Sequence, residues 1–249
     1  MKSPQLTARL DRDGALGRIT LSAPPGNTLA HPVFADALAL RSFLDDPGLA
    51  GVVVAGEGRH FCGGADREAL ASQLSDPVAL REALVAGKSL LDLLAFATVP
   101  VVAAIRGQCL GAGLEIALAC HFRVASSSAM LGFPEATLGL MPGFGGTVAD
   151  GARIGRRALA DLVLTGRMIG AIEARDMGLV DEVVETVQVE AAARRRIDTL
   201  IADRPPALIR AVMESVHNGR RLPRGEALAR ETELFFEVAR AARAGEGER

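Results

Sequence analysis

Val101-Val-Ala-Ala-Ile-Arg-Gly-Gln-Cys-Leu-Gly-Ala-Gly-Leu-Glu115 decides how this chain folds. Its first five residues are apolar with no polar alternation, the pattern of a strand buried on both faces of a parallel sheet. Glycines at 107, 111 and 113 let the chain reverse, and a helix is expected from about Ala112 to Ala119. Strand, glycine turn and helix in succession make an α/β unit. Such a turn exposes backbone N–H groups at the positive end of its helix. Glu115 falls in the first helical turn, where the helix dipole favours the ionised carboxylate.

The same unit occurs upstream. Val52-Val-Val-Ala55 is a short apolar strand, and His60-Phe-Cys-Gly-Gly-Ala-Asp66 is its glycine turn, with Asp66 a natural N-cap for the segment after it. Before it, Leu6–Leu10 and Leu16–Leu21 read as a hairpin joined at Asp11–Gly14, and Pro24-Pro-Gly-Asn27 breaks the chain. Val33, Ala37, Leu40 and Leu44 recur at helical spacing, as do Leu80, Leu84, Leu91 and Leu94 in a longer helix. Phe122–Ala125 and Met130–Leu131 read as further strands. Beyond Gly143 the pattern is helical, roughly over 144–154, 156–164, 172–177, 187–202, 206–216 and 224–243, with one edge strand at Val180–Val184. The expected architecture is an α/β core over 1–186 carrying the active site, followed by a C-terminal helical region over 187–249.

With 249 residues, half of them hydrophobic, the chain can bury a sizeable core. Aromatics make up only 4%, with no Trp or Tyr, so that core is aliphatic. A net charge of -2 argues against a nucleic-acid partner, and no apolar stretch is long enough to span a bilayer. The three cysteines lack CxxC spacing and the four histidines lack any metal-ligand spacing, so neither a disulfide framework nor a metal site is expected. A reducing cytoplasm suits the unpaired cysteines, and Met1-Lys-Ser-Pro-Gln opens no signal peptide.

A second carboxylate, Glu135, stands in Gly132-Phe-Pro-Glu-Ala-Thr-Leu-Gly-Leu-Met-Pro-Gly-Phe-Gly-Gly146, an apolar setting that raises its pKa. Two glycine turns on neighbouring parallel strands open at one sheet edge, where ligands bind in α/β folds. One N–H from each turn can grip a carbonyl oxygen, while two carboxyls in different environments make an acid and a base. Spacing alone leaves a plainer alternative open, with Glu115 a favourable first-turn acid and Glu135 a salt-bridge partner. Gly143–Gly146 lacks the Lys of a phosphate loop and is expected to be a turn backing Glu135. Cys62 fits a small buried residue better than a nucleophile, and Cys109 and Cys120 read as core packing.

Taken together, Phe61–Asp66, Gly107–Glu115, Phe133-Pro-Glu135 with Leu138–Gly146, and Leu164-Thr-Gly-Arg167 with Ala171–Val184 closely resemble the enoyl-CoA hydratase/isomerase (crotonase) superfamily. The resemblance implies a ββα spiral core with a C-terminal helical trimerisation region, assembled as a homotrimer or a homohexamer. It implies a coenzyme A thioester substrate and no separate cofactor. The N–H groups of Gly63 and Ala112 would hold the thioester oxygen. Asn27, Thr28 and Leu29, with Gly63, Gly64, Ala65 and Asp66, would border the pantetheine and nucleotide. Gln73, Leu74, Leu80 and Leu84 are candidate walls of the acyl pocket. Both glutamates imply a hydratase acting on a 2-enoyl-CoA, Glu135 delivering a proton to C2 and Glu115 orienting and deprotonating water. A Δ3,Δ2-enoyl-CoA isomerase and a biosynthetic dehydratase or decarboxylase, on a CoA or acyl-carrier-protein thioester, stay open. A catalytically idle homologue binding acyl-CoA or RNA is disfavoured by the two glutamates and the near-neutral charge.

Overall fold

The computed structural model describes residues 7–149 and 154–246. Its strands are β1 (Ala8–Asp13), β2 (Leu16–Leu21), β3 (Gly51–Gly56), β4 (Val101–Ile105), β5 (Gln108–Leu110), β6 (Phe122–Ser126), β7 (Met130–Gly132), β8 (Met168–Gly170) and β9 (Glu182–Val184). β1 and β2 form the antiparallel hairpin. From β2 onward the main sheet is parallel, in the order β1-β2-β3-β4-β6-β9. β5, β7 and β8 make a second, three-stranded sheet that the sequence did not reveal, because strands this short carry no periodicity.

The wholly apolar composition of β3 and β4 follows from their position. Val52, Val54, Val101, Ala103 and Ile105 point into the main core, while Val53, Ala55, Val102 and Ala104 point into a second cluster on the opposite face. Both faces are covered, so no polar residue can alternate.

Helices α1 (Ala37–Asp45), α2 (Arg67–Gln73), α3 (Pro77–Ala95), α4 (Ala112–Ala119), α5 (Gly146–Ala149), α6 (Arg156–Thr165) and α7 (Ala171–Asp176) accompany the sheets. α8 (Val189–Ile201), α9 (Pro206–Arg221) and α10 (Arg224–Glu246) complete the chain order. α1 starts later than Val33 because Asp36 accepts the Ala39 N–H at 2.7 Å and sets the helix start there. The leucine stripe lies on α3, capped by Asp76 and separate from α2, which Asp66 caps. Of the helix expected at 144–154, Gly146–Ala149 is seen, and residues 150–153 lie outside the described residues. Val189, Ala192, Ala193 and Ile197 of α8 fill the second cluster, so this helix is part of the sheet's packing rather than an appendage. Among the described residues no helix is long and apolar enough to cross a membrane.

Candidate active site

β3 and β4 are parallel neighbours, so the turns after them open at the same edge. The turns are laced together: Cys62 N–H donates to Gln108 O and Leu110 N–H to Cys62 O, both at 3.0 Å. Gly113 lies so close to the other turn that a Cβ there would collide with the Cys62 carbonyl oxygen. Cys62 is fully buried, and burial pushes its thiol up to about 12, which leaves it a packing residue at neutral pH.

The donor expected at Gly63 is corrected by the geometry. Its N–H is engaged by Gly26 O at 2.8 Å, within the wall of the turn. Ala65 takes the position instead. Leu29 N–H donates to Gly64 O and Asp66 N–H to Leu29 O, a parallel bridge that turns the N–H of Ala65 away from Leu29. Ala65 and Ala112 line one cavity, and among the described residues nothing accepts a hydrogen bond from either N–H. At the first position of α4, the Ala112 N–H has no intrahelical partner. The signal for Ala65 was its place between a glycine with φ of +97° and an N-cap aspartate.

Both glutamates line the same cavity. Glu115 is 2% exposed, and its Oε1 accepts the N–H of Phe144 at 2.8 Å and of Gly146 at 2.7 Å. The Gly143–Gly146 turn therefore supports Glu115, not Glu135. Burial, opposed by those two N–H groups and reinforced by the charge of Glu135, pushes the Glu115 carboxyl up to about 7. The ionised state expected from the helix dipole is thus outweighed by desolvation. Glu135 stands in a 3₁₀ turn, Pro134–Leu138, and burial raises its pKa too. Its Oε2 is buried without a hydrogen-bond partner, and among the described residues neither glutamate has an ion pair. The salt-bridge alternative fails. An unpartnered buried carboxyl oxygen in a cavity is costly for stability alone and points to a ligand.

The cavity holds about 220 Å³. Gln73, Leu74, Leu80 and Leu84 form part of its wall, with Leu140, Met141 and Phe144 supplied by a later segment. Leu29 also lines it. Asn27 does not: it is fully buried, its amide nitrogen donates to Glu57 O at 2.9 Å and His60 O at 2.8 Å, and its oxygen accepts the Ala23 N–H at 3.1 Å. This corrects its assignment as a coenzyme A contact, since the residue is fully buried and its side-chain amide is engaged within the turn. Asp66 likewise uses its carboxylate on the Ala69 N–H at 2.9 Å. Thr28 packs its methyl beside Gly63 at the half-buried rim of the turn.

Residues 11–248 match the enoyl-CoA hydratase/isomerase family model. The chain belongs to the enoyl-CoA hydratase/isomerase family. It is 32% identical over 242 residues to a Bacillus subtilis protein named "Probable enoyl-CoA hydratase", covering 92% of this chain and 89% of that one. It is 40% identical over 205 residues to the peroxisomal bifunctional enzyme of Danio rerio, covering 76% of this chain but spanning only 27% of the longer relative. The crystal structure of an enoyl-CoA hydratase from Polaromonas sp. JS666 superimposes with a TM-score of 0.86 at 29% identity, covering 96% of this chain and 94% of the other. The fold of this family member is thus the crotonase type, as the sequence resemblance implied.

Proposed function

We propose that this family member hydrates a 2-enoyl-CoA to the 3-hydroxyacyl-CoA. The observation that carries the proposal is the convergence of two carboxyls of raised pKa, one buried and one half-buried, and two unengaged backbone N–H groups on one cavity. The thioester oxygen accepts from Ala65 and Ala112. Each such donor is typically worth about 3 kcal/mol when charge develops on that oxygen. Glu115, whose Oε1 is fixed by two backbone N–H groups that oppose the effect of burial, is assigned the role of base. It removes a proton from water as the oxygen bonds to C3, and the π electrons move onto the thioester. Glu135, whose buried Oε2 has no hydrogen-bond partner, is assigned the role of acid and returns a proton to C2 of the enolate. Coenzyme A enters as part of the substrate and no separate cofactor takes part.

Family membership supports a homotrimer or a dimer of trimers, and exposed Val216, Phe235 and Phe236 on α9 and α10 offer apolar surface for it. The test of activity is loss of the conjugated enoyl-thioester absorbance with a 2-enoyl-CoA, alongside a separate reaction with a 3-enoyl-CoA. Hydration of the first supports the proposal. Conversion of the second to a 2-enoyl product that is not hydrated would replace it with isomerase chemistry, in which one carboxylate suffices.

A further inference from the structure

The wall of the catalytic cavity beyond the glutamates is almost entirely hydrocarbon. Among the described residues Gln73 is its one other polar side chain, and one N–H of its amide is tied to Ala30 O at 2.7 Å. No cation among the described residues lines the cavity, so a carboxylate on the substrate's tail would be desolvated without a counter-charge and discriminated against. The mouth is apolar as well. Leu74 is 48% exposed, Leu140 36% and Met141 64%, all on the rim of the same cavity. α2, which supplies Leu70 to the wall, has no buried residue at all. Apolar side chains left this open beside a catalytic cavity are continuous with the site of the reacting thioester, which names their occupant.

We infer that this site selects a long, plain hydrocarbon acyl chain over a short one, with Leu74, Leu140 and Met141 setting the preference. The inference rests on the reading that the site binds an acyl thioester, but not on hydration.

Saturated acyl-CoA thioesters separate the two questions, because they bind without reacting. Calorimetric titration of butyryl-, octanoyl- and decanoyl-CoA should show Kd falling with chain length. A fully buried methylene is worth about fourfold in affinity, and with a partly open rim the decanoyl thioester should bind at least about thirtyfold more tightly than butyryl. Glutaryl-CoA, whose tail carries a carboxylate, should bind more weakly than butyryl-CoA. Leu74→Gln and Met141→Gln, at exposed positions that leave the core intact, should each shrink the decanoyl-to-butyryl ratio severalfold. Kd values that stay flat or rise with length, or variants that leave the ratio unchanged, overturn the inference. Length-dependent binding without hydration of the matching 2-enoyl-CoAs would leave the inference standing and remove the hydratase reading. Hydration with no length dependence would do the reverse, and no binding of any thioester would end both.

Discussion

Gly111 and Glu135 fit against one another with no room for a side chain: a Cβ on Gly111 would stand 2.6 Å from Glu135 Oε1. Gly111 also has φ of +51° with ψ of -124°, a conformation open essentially to glycine that costs another residue about 1–3 kcal/mol. Gly111→Ala is therefore expected to lower Tm by roughly 2–12 °C in a chain of this size. By displacing the proton donor it should also reduce kcat at least about tenfold, since small misplacements of reacting groups are costly. Thermal melts and steady-state kinetics on the variant check both. An unchanged kcat would remove Glu135 from the chemistry.

The two carboxylates should each be indispensable to hydration. Glu115→Gln and Glu135→Gln are expected to lower kcat by at least roughly a hundredfold, the scale of general acid–base catalysis, with acyl-CoA binding retained. Full hydratase activity in either variant would sink the assignment.

Glu115 should also set a pH limit on activity. With its carboxyl pushed up to about 7, the base form is lost as pH falls through that value, and kcat should decline toward acid. A flat kcat profile from pH 8 to below 6 would contradict this. Stability runs the opposite way. The folded-state pKa lies above the ordinary value of 4.5, so this carboxyl imposes no cost below about 4.5. The fold loses stability as pH rises from 4.5 through about 7. The loss is at most about 3 kcal/mol, at ~1.4 kcal/mol per pKa unit. Glu115→Gln should therefore raise Tm near pH 8 and leave it unchanged near pH 4.

The proposed oxyanion donors are backbone N–H groups, so proline is the informative substitution. Ala65→Pro and Ala112→Pro each remove one N–H and should abolish turnover in protein that circular dichroism shows to be folded. Gly63→Ala, whose added Cβ would lie 3.3 Å from Gly26 O and Thr28 Cγ2, should keep most of the activity. A folded Ala65→Pro enzyme with a near-normal rate would place the thioester oxygen elsewhere.

Asn27 is predicted to matter for stability rather than for binding coenzyme A. Asn27→Ala leaves two carbonyls and one N–H of a buried turn without their partner. The cost should be about 3 kcal/mol, read as a Tm lowered by roughly 6–12 °C. A selective rise in KM for the thioester with unchanged Tm would restore a contact role.

Much of this molecule is legible from local pattern. Val52–Ala55 and Val101–Ile105 could only be doubly buried strands, because an uninterrupted apolar run needs cover on both faces. The glycines after them announced turns, and Asp66 announced a helix start. Glu115 and Glu135 stood out because carboxylates are rare in so apolar a setting. These are properties of a residue and its neighbours in sequence, and they survive without coordinates.

Pairing between distant segments was not legible. The bond from Gly63 N–H to Gly26 O, which leaves the Ala65 N–H as the unengaged one, joins segments brought together by the parallel bridge between Leu29 and Ala65. The support of Glu115 by Phe144 and Gly146 likewise depends on a loop folding back over α4. The helix dipole alone favours an ionised Glu115, yet desolvation is set by the whole surrounding packing, and it wins. The amino-acid order by itself determined which chemical groups this protein has and which local geometry holds each of them. The tertiary structure decided which N–H groups remain free and how far each carboxyl is desolvated, because hydrogen-bond partners and burial are properties of distant segments in contact.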